Sequence, residues 1–366
     1  MLKKLSLRNV RLFKSLDISF NKNITVFIGN NATGKTTILE SIYLLGVTKS
    51  HKTNNEEEII NNESTYSKII GIEKKNYQLV FNKNQKKSFI DNKEQKKLSE
   101  FIGNLKVVMF SPIDLNLING SPLIRRRFLD IEISKLNKEY LLSLSNYKKI
   151  LKERQELLKK ISPNDDLIFL NIISKKLIIE AKKIINIRDK FIQEINKNLI
   201  SISDDKLEII YNPSVKLSNI DELFEKKKEY DILTKNTNYG PHRDDIKFMI
   251  NGSDVAFSSQ GQIRSLVLSI KLSIANYIKK ITNDSPIILL DDVLSELDIN
   301  RQNRLFEIVG DYQVFITSTG VENIKKEILD KAQIFYLNNK SIKEYDINGK
   351  SLWRNQYTSA WRLRSC

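Results

Sequence analysis

An α/β fold built on a largely parallel sheet, with a helical segment inserted into it, is what this sequence predicts, and three observations predict it. The first is a strand, glycine loop and helix in succession: the apolar run ITVFI at 24–28 leads into Gly29–Gly34, after which Ile38, Ile42 and Leu45 recur at helical spacing. The second is a set of further apolar runs of buried-strand length, LKVVMF at 105–110, PIILL at 286–290 and QVFIT at 313–317. The third is a change of texture over 126–205, where apolar residues fall at a 3.6 period.

Taken in order, Leu16, Ile18 and Phe20 alternate with polar residues, as on a half-buried antiparallel strand. YQLVF (77–81) and KSFID (87–91) predict a hairpin, and Ser111-Pro112 ends the 105–110 strand. Leu136, Tyr140, Leu144 and Tyr147, then Leu177, Ile184, Ile187, Phe191 and Ile195, mark long helices interrupted at Ser162-Pro163-Asn164-Asp165. Strand character returns at LEIIY (207–211), and IKFMI (246–250), Asn251-Gly252 and SDVAF (253–257) predict a hairpin with a type I′ turn. A helix from Gly261 to Lys280, carrying Leu266, Ile270, Ile274 and Ile278, precedes the last two apolar strands, with another helix between them. The expected organisation is a discontinuous head (1–125 and 206–350), an arm (126–205) and a tail (351–366) with no usable period.

Composition narrows the chemistry. Of 366 residues, 60 are Lys or Arg and 44 Asp or Glu, a net charge of +16, which suits either lysine spread over solvated faces or a polyanionic partner such as nucleic acid. The one cysteine is Cys366, which excludes a disulfide scaffold, a cysteine-ligated zinc site and a core thiol nucleophile. With neither a signal-peptide core nor 18 continuous apolar residues, the expectation is a cytoplasmic protein without a membrane partner.

Gly29-Asn30-Asn31-Ala32-Thr33-Gly34-Lys35-Thr36 is a full G-x-x-x-x-G-K-[ST] loop. Its backbone N–H groups, with those of Thr37 and the helix start, converge as phosphate oxygens require; Lys35 would reach the β- and γ-phosphates of ATP and Thr36 would offer its hydroxyl to Mg²⁺. The 286–290 strand ends in Asp291-Asp292, where ligands bind in open parallel sheets. Asp291 is thus the expected Mg²⁺-side carboxylate, and Asp292 the group that orients or deprotonates the attacking water.

Phe257-Ser258-Ser259-Gln260-Gly261-Gln262 resembles the Leu-Ser-Gly-Gly-Gln signature of ABC-type ATPases, with Ser259 and Gly261 in matching places and Gln262 following. In that superfamily the serine and the helix N-terminus grip the γ-phosphate of an ATP held by the partner subunit, and Ser295-Glu296-Leu297-Asp298 looks like its D-loop. Two more clusters narrow the likeness: Phe110-Ser111-Pro112-Ile113-Asp114-Leu115 with Arg125-Arg126-Arg127-Phe128-Leu129-Asp130, and Gly240-Pro241-His242-Arg243-Asp244-Asp245. With Asp291–Asp298 they closely resemble the RecF family of bacterial recombination and repair ATPases, in order from residue 1 to about 350.

The resemblance implies an ABC/SMC-type P-loop ATPase head with an inserted α-helical arm, an ATP-bridged homodimer, and slow, DNA-stimulated hydrolysis. It implies binding to DNA at single-strand gaps, without sequence preference, and cooperation with RecR and RecO in loading RecA. Departures are Ile113, where an acid is usual, Leu170-Asn171 in place of a Trp-Asp pair, and Thr317-Ser318-Thr319 in place of a threonine run; Asp292 stands where many superfamily members carry Glu. Arg125–Arg127 suit phosphates or acids of the head equally, His242 and the 240–245 segment suit a structural or ATP-loop role better than a nuclease metal site, and Lys148, Lys149, Lys152, Arg154, Lys159 and Lys160 offer a face for a DNA backbone. The alternative reading is the cytoplasmic ATPase subunit of a transporter, which gives no reason for the two extra clusters.

Overall fold

The computed structural model describes residues 1–83, 85–162, 165–322, 324–338 and 341–345; the 351–366 tail, Pro163 and Asn164 lie outside them. Strands β1 (Lys4–Val10) and β2 (Phe13–Ser19) form a hairpin, and β3 (Ile24–Ile28) leads through the glycine loop into α1 (Lys35–Val47). A meander follows: β4 (Tyr66–Ile72), β5 (Asn76–Asn82), β6 (Lys86–Ile90) and β7 (Lys93–Glu94). The short α2 (Leu98–Phe101) precedes β8 (Val107–Phe110), and α3 (Asn116–Asn119) the three long helices α4 (Pro122–Ser134), α5 (Lys138–Lys160) and α6 (Ile168–Lys197). The chain returns through β9 (Leu207–Asn212), α7 (Ile220–Lys226), α8 (Lys228–Thr234), β10 (Asp245–Ile250) and β11 (Ser253–Asp254). It continues with α9 (Gln260–Thr282), β12 (Ile287–Asp291), α10 (Ile299–Val309), β13 (Val314–Ser318), α11 (Lys326–Lys331), β14 (Ala332–Asn338) and β15 (Ser341–Tyr345).

The central sheet has the order β15-β14-β3-β13-β12-β8, parallel except for β15. Its strands read as continuous apolar runs because both faces are buried. Val26, Ile288, Leu290, Val314 and Ile316 face a core shared with α9 and the long helices, while Phe27, Ile287, Leu289 and Phe315 face a second core around α1 and the antiparallel sheet β2-β1-β4-β5-β6-β7. Within the second core Phe20, just past β2, sets its edge against Phe315 at 4.8 Å between ring centres. Parallel pairing brings the C-terminal ends of β3, β12 and β13 to one edge of the sheet. The glycine loop and the paired acids lie on that edge.

The predicted 77–81/87–91 hairpin is present as β5 and β6. The second predicted hairpin is shorter than expected. Asn251 and Gly252 do take positive φ (52° and 80°), but only Ser253 and Asp254 pair with β10. The Asp254 side chain then accepts the Ala256 N–H and turns 255–257 into a 3₁₀ helix, leaving Phe257 88% exposed.

Candidate nucleotide site

The loop after β3 holds its shape through its own backbone. Gly34, φ 103°, caps α1 in a left-handed conformation, and a Cβ there would lie 2.6 Å from the Phe13 ring. At Gly29 a Cβ would meet the Leu337 carbonyl oxygen at 2.5 Å, so only glycine lets β14 pack this close. Thr33 donates to the Asn30 carbonyl (2.8 Å), and the Lys35 ammonium donates to the carbonyls of Gly29 and Asn30, closing the loop around it. Burial lowers the Lys35 pKa, opposed by the nearby charges of Asp292 and Asp291. Thr37 is buried behind the loop; Asn30, Asn31 and Ala32 are exposed at its rim.

At the end of β12, Asp291 is 5% exposed, and its Oδ1 accepts hydrogen bonds from Thr36 (2.9 Å) and Thr317 (2.8 Å). Burial raises its pKa, the two hydroxyls opposing. Oxygens about 2.1 Å from an octahedral Mg²⁺ sit about 3 Å apart when they occupy neighbouring positions. The Thr36 and Asp291 oxygens are that far apart and of the hard type the ion selects, so the pair fits the group.

Asp292 takes φ 53°, uncommon for a residue other than glycine. Its N–H donates to the Thr317 hydroxyl (2.9 Å) and its carbonyl accepts from Ser295 (3.2 Å), which turns the chain out of the strand. Thr317 therefore fixes both acids. The sequence reading passed over that role; an available signal was the acid at the end of one buried strand facing a threonine at the end of the next, since Asp291 and Thr317 are register partners.

Ser259, Gly261 and Gln262 stand apart from this cluster in their bonding. Ser259 caps α9, accepting from the Gln262 N–H (3.3 Å), and Gln262 Oε1 accepts the Ser259 N–H (3.1 Å). Gln262 also donates to Asp205 (3.3 Å), and the Arg301 guanidinium lies against Gly261. The helix start thus presents exposed Ser259 and Gln260 to solvent. Arg264, one turn on, pairs with Glu296 at 3.1 Å and so ties α9 to the loop that follows Asp292.

The remaining clusters join α4, α5 and α6 to the 240–245 segment. Arg188 of α6, 2% exposed, donates to Tyr140 (2.9 Å), Asp130 (2.8 Å), Asp244 (2.9 Å) and the Pro241 carbonyl (2.8 Å). Arg125 forms a two-pronged pair with Asp245 (2.6 and 2.9 Å), and Arg126 donates to the Asp244 carbonyl (2.8 Å). His242 bonds Tyr147 (2.6 Å) and the Thr237 carbonyl (2.9 Å), and burial lowers its pKa. Among the described residues no group of three or more His, Cys, Asp or Glu could hold a metal ion. One candidate for the DNA face is corrected. Arg154 is fully buried, bonded to Asp231 (2.9 Å), Thr237 (2.7 Å) and Ser174 (2.9 Å), whereas Lys149, Lys152 and Lys160 are exposed on the same helix.

No helix among the described residues is long and apolar enough to cross a membrane. A family model described as an AAA domain matches residues 4–351. Curated proteins named DNA replication and repair protein RecF are similar over nearly the whole chain. That of Lactobacillus johnsonii is 39% identical over 357 residues, covering 90% of this chain and 96% of the relative. That of Streptococcus gordonii is 40% identical over 361 residues, covering 93% and 99%. Among solved structures, the recombination mediator protein RecF with ATP, of the RecFOR pathway, aligns at a TM-score of 0.85 with 31% identity, covering 94% of this chain and 97% of that one. The Smc head domain of Pyrococcus furiosus bound to ScpA aligns at 0.53 with 14% identity, covering 95% and 96%, a likeness of fold alone. By relatives along nearly its full length and by a head of the ABC/SMC type carrying an inserted helical arm, the chain belongs to the RecF family of DNA replication and repair proteins.

Proposed function

We propose that this protein is an ATP-driven switch on DNA, in which the loop 29–37 of one subunit and the α9 N-terminus of a second enclose ATP. The observation that carries the reading is the meeting of Thr36 and Asp291 at 2.9 Å beneath the glycine loop, with Asp292 next in the chain. The solved RecF bound to ATP, at 31% identity, supports the same ligand. The loop N–H groups and Lys35 bind the phosphates, and Thr36 with Asp291 would hold Mg²⁺. Such an ion supplies neutralisation of charge on the β- and γ-phosphate oxygens. Asp292 orients the attacking water and accepts its proton, and its short side chain keeps hydrolysis slow and the ATP state long-lived. Ser259, Gly261 and Gln262 supply the lid across the dimer: a helix N-terminus whose free N–H groups suit the partner's γ-phosphate.

On this reading 1–125 and 206–350 form one head and 126–205 an arm, and exposed lysines such as Lys149, Lys152 and Lys160 meet the DNA backbone without reading bases. Gapped duplex is the proposed DNA, and RecR, RecO and RecA the proposed pathway partners, from the family resemblance. Retention on gapped plasmid, measured with and without ATP over a salt series, tests it. Retention that needs ATP and falls steeply with salt is expected; ATP-independent retention, strand cleavage, or association only with membrane vesicles contradicts it.

A further inference from the structure

A groove of about 650 Å³ runs between the 47–56 segment of the head and helices α4 and α5. Its lining is of two kinds. Lys49, Arg127 and Lys148 supply positive charge, and Leu123, Leu141 and Leu151 an apolar wall, with Leu123 66% exposed. The nearby acids are largely spoken for: Asp130 is bonded to Arg188 and Tyr140, and Glu56 to Lys86. Lys148 reaches Asp130 only at 3.4 Å, and Arg127 and Lys49 make no hydrogen bond or ion pair among the described residues. Partial burial first, then the charges of Lys148, Lys86 and Arg127, with Glu56 opposing, holds the Lys49 ammonium below its ordinary pKa.

We propose that this groove receives a short acidic segment of a partner protein, carboxylates on Lys49, Arg127 and Lys148 and one bulky apolar side chain against Leu123, Leu141 and Leu151. The volume is that of a site for a small ligand or a few residues of peptide. Charge complementarity selects carboxylates, and the leucines select an apolar anchor of the kind that dominates binding at the centre of protein interfaces. A nucleic-acid backbone would use the cations and leave that wall idle, since phosphate contacts come from polar and charged groups. The proposal does not depend on the nucleotide reading, because the groove involves neither the glycine loop nor the paired acids.

The test uses the full chain without nucleotide and a fluorescein-labelled hexapeptide, Glu-Asp-Glu-Leu-Leu-Phe, followed by anisotropy. Saturable binding is expected, weakened at least tenfold when lysines replace the peptide's acids and when alanines replace its apolar residues. Arg127→Glu with Lys148→Glu should weaken it at least tenfold, and Leu123→Ala should weaken it several-fold with the melting temperature unchanged. Leu123 is exposed, so that single change keeps the proposal testable if the double variant does not fold. Equal affinity for the lysine peptide, or indifference to Leu123→Ala, overturns the proposal. So does displacement by a 20-nucleotide single strand whose own affinity ignores Leu123→Ala, which assigns the groove to nucleic acid.

Discussion

Ionising Asp291 costs free energy: its carboxyl sits in a desolvated pocket where two hydroxyls only partly replace water, and its pKa rises. A carboxyl raised in the folded state contributes stability below its unfolded pKa and loses it as pH climbs. At neutral pH Asp291→Asn should therefore raise the melting temperature by about 2 °C while abolishing ATP hydrolysis, checked by calorimetry beside a phosphate-release assay. His51 works in the opposite sense. Its ring packs edge-on against Tyr43, both ring nitrogens are buried without a partner among the described residues, and burial lowers its pKa to about 4. The unfolded chain binds the extra proton first, so stability should fall as pH drops from about 6.5 to about 4. His51→Phe should flatten that slope in urea titrations at stepped pH. At this scale the glycine loop and the two acids were legible because their geometry is local, a handful of consecutive residues at one turn. The hydroxyl of Thr317 was not, since its contact with Asp291 arises from strand register between residues 26 apart.

Elements join through charge pairs that periodicity cannot reveal. Arg188 of α6 reaches Asp130 of α4 and Asp244, which lie 58 and 56 residues away in sequence, and only the packing of α6 against α4 and the 240–245 segment brings them together. Arg188→Leu would leave the buried Asp244 carboxylate without its cation and should destabilise the protein by about 3–5 kcal/mol, measured by urea unfolding; Arg125→Ala, at a more exposed pair, should cost far less. The apolar strands were readable for a simple reason: β3, β12 and β13 are covered on both faces, so runs without alternation announce them. The 253–257 strand was not, because Asp254 captures its own backbone before pairing can continue. Strands β14 and β15 are less plain: β14 offers only the four-residue apolar run at 334–337, and Lys343 and Glu344 interrupt β15.

Across the whole molecule the candidate site residues fall into two groups. Glycine loop, Thr36, Asp291 and Asp292 converge on one edge of the sheet, while Ser259 at the start of α9 is bonded elsewhere and faces solvent. A second copy would bring the two groups together, and the pair of Arg264 and Glu296 would link the lid of one nucleotide to the water-activating loop of the other. The fold was legible because motif order survives the helical insertion; the docking of α4, α5 and α6 on the 240–245 segment was not, because it is set by buried contacts between distant segments. Light scattering on Asp292→Asn with Mg²⁺ and ATP decides whether two chains share the nucleotide. The account predicts twice the mass of one chain with ATP, one chain without it, and one chain for the Ser259→Arg, Asp292→Asn double variant even when ATP is bound. A single-chain mass throughout, or a dimer that forms regardless of ATP and of Ser259→Arg, would contradict it.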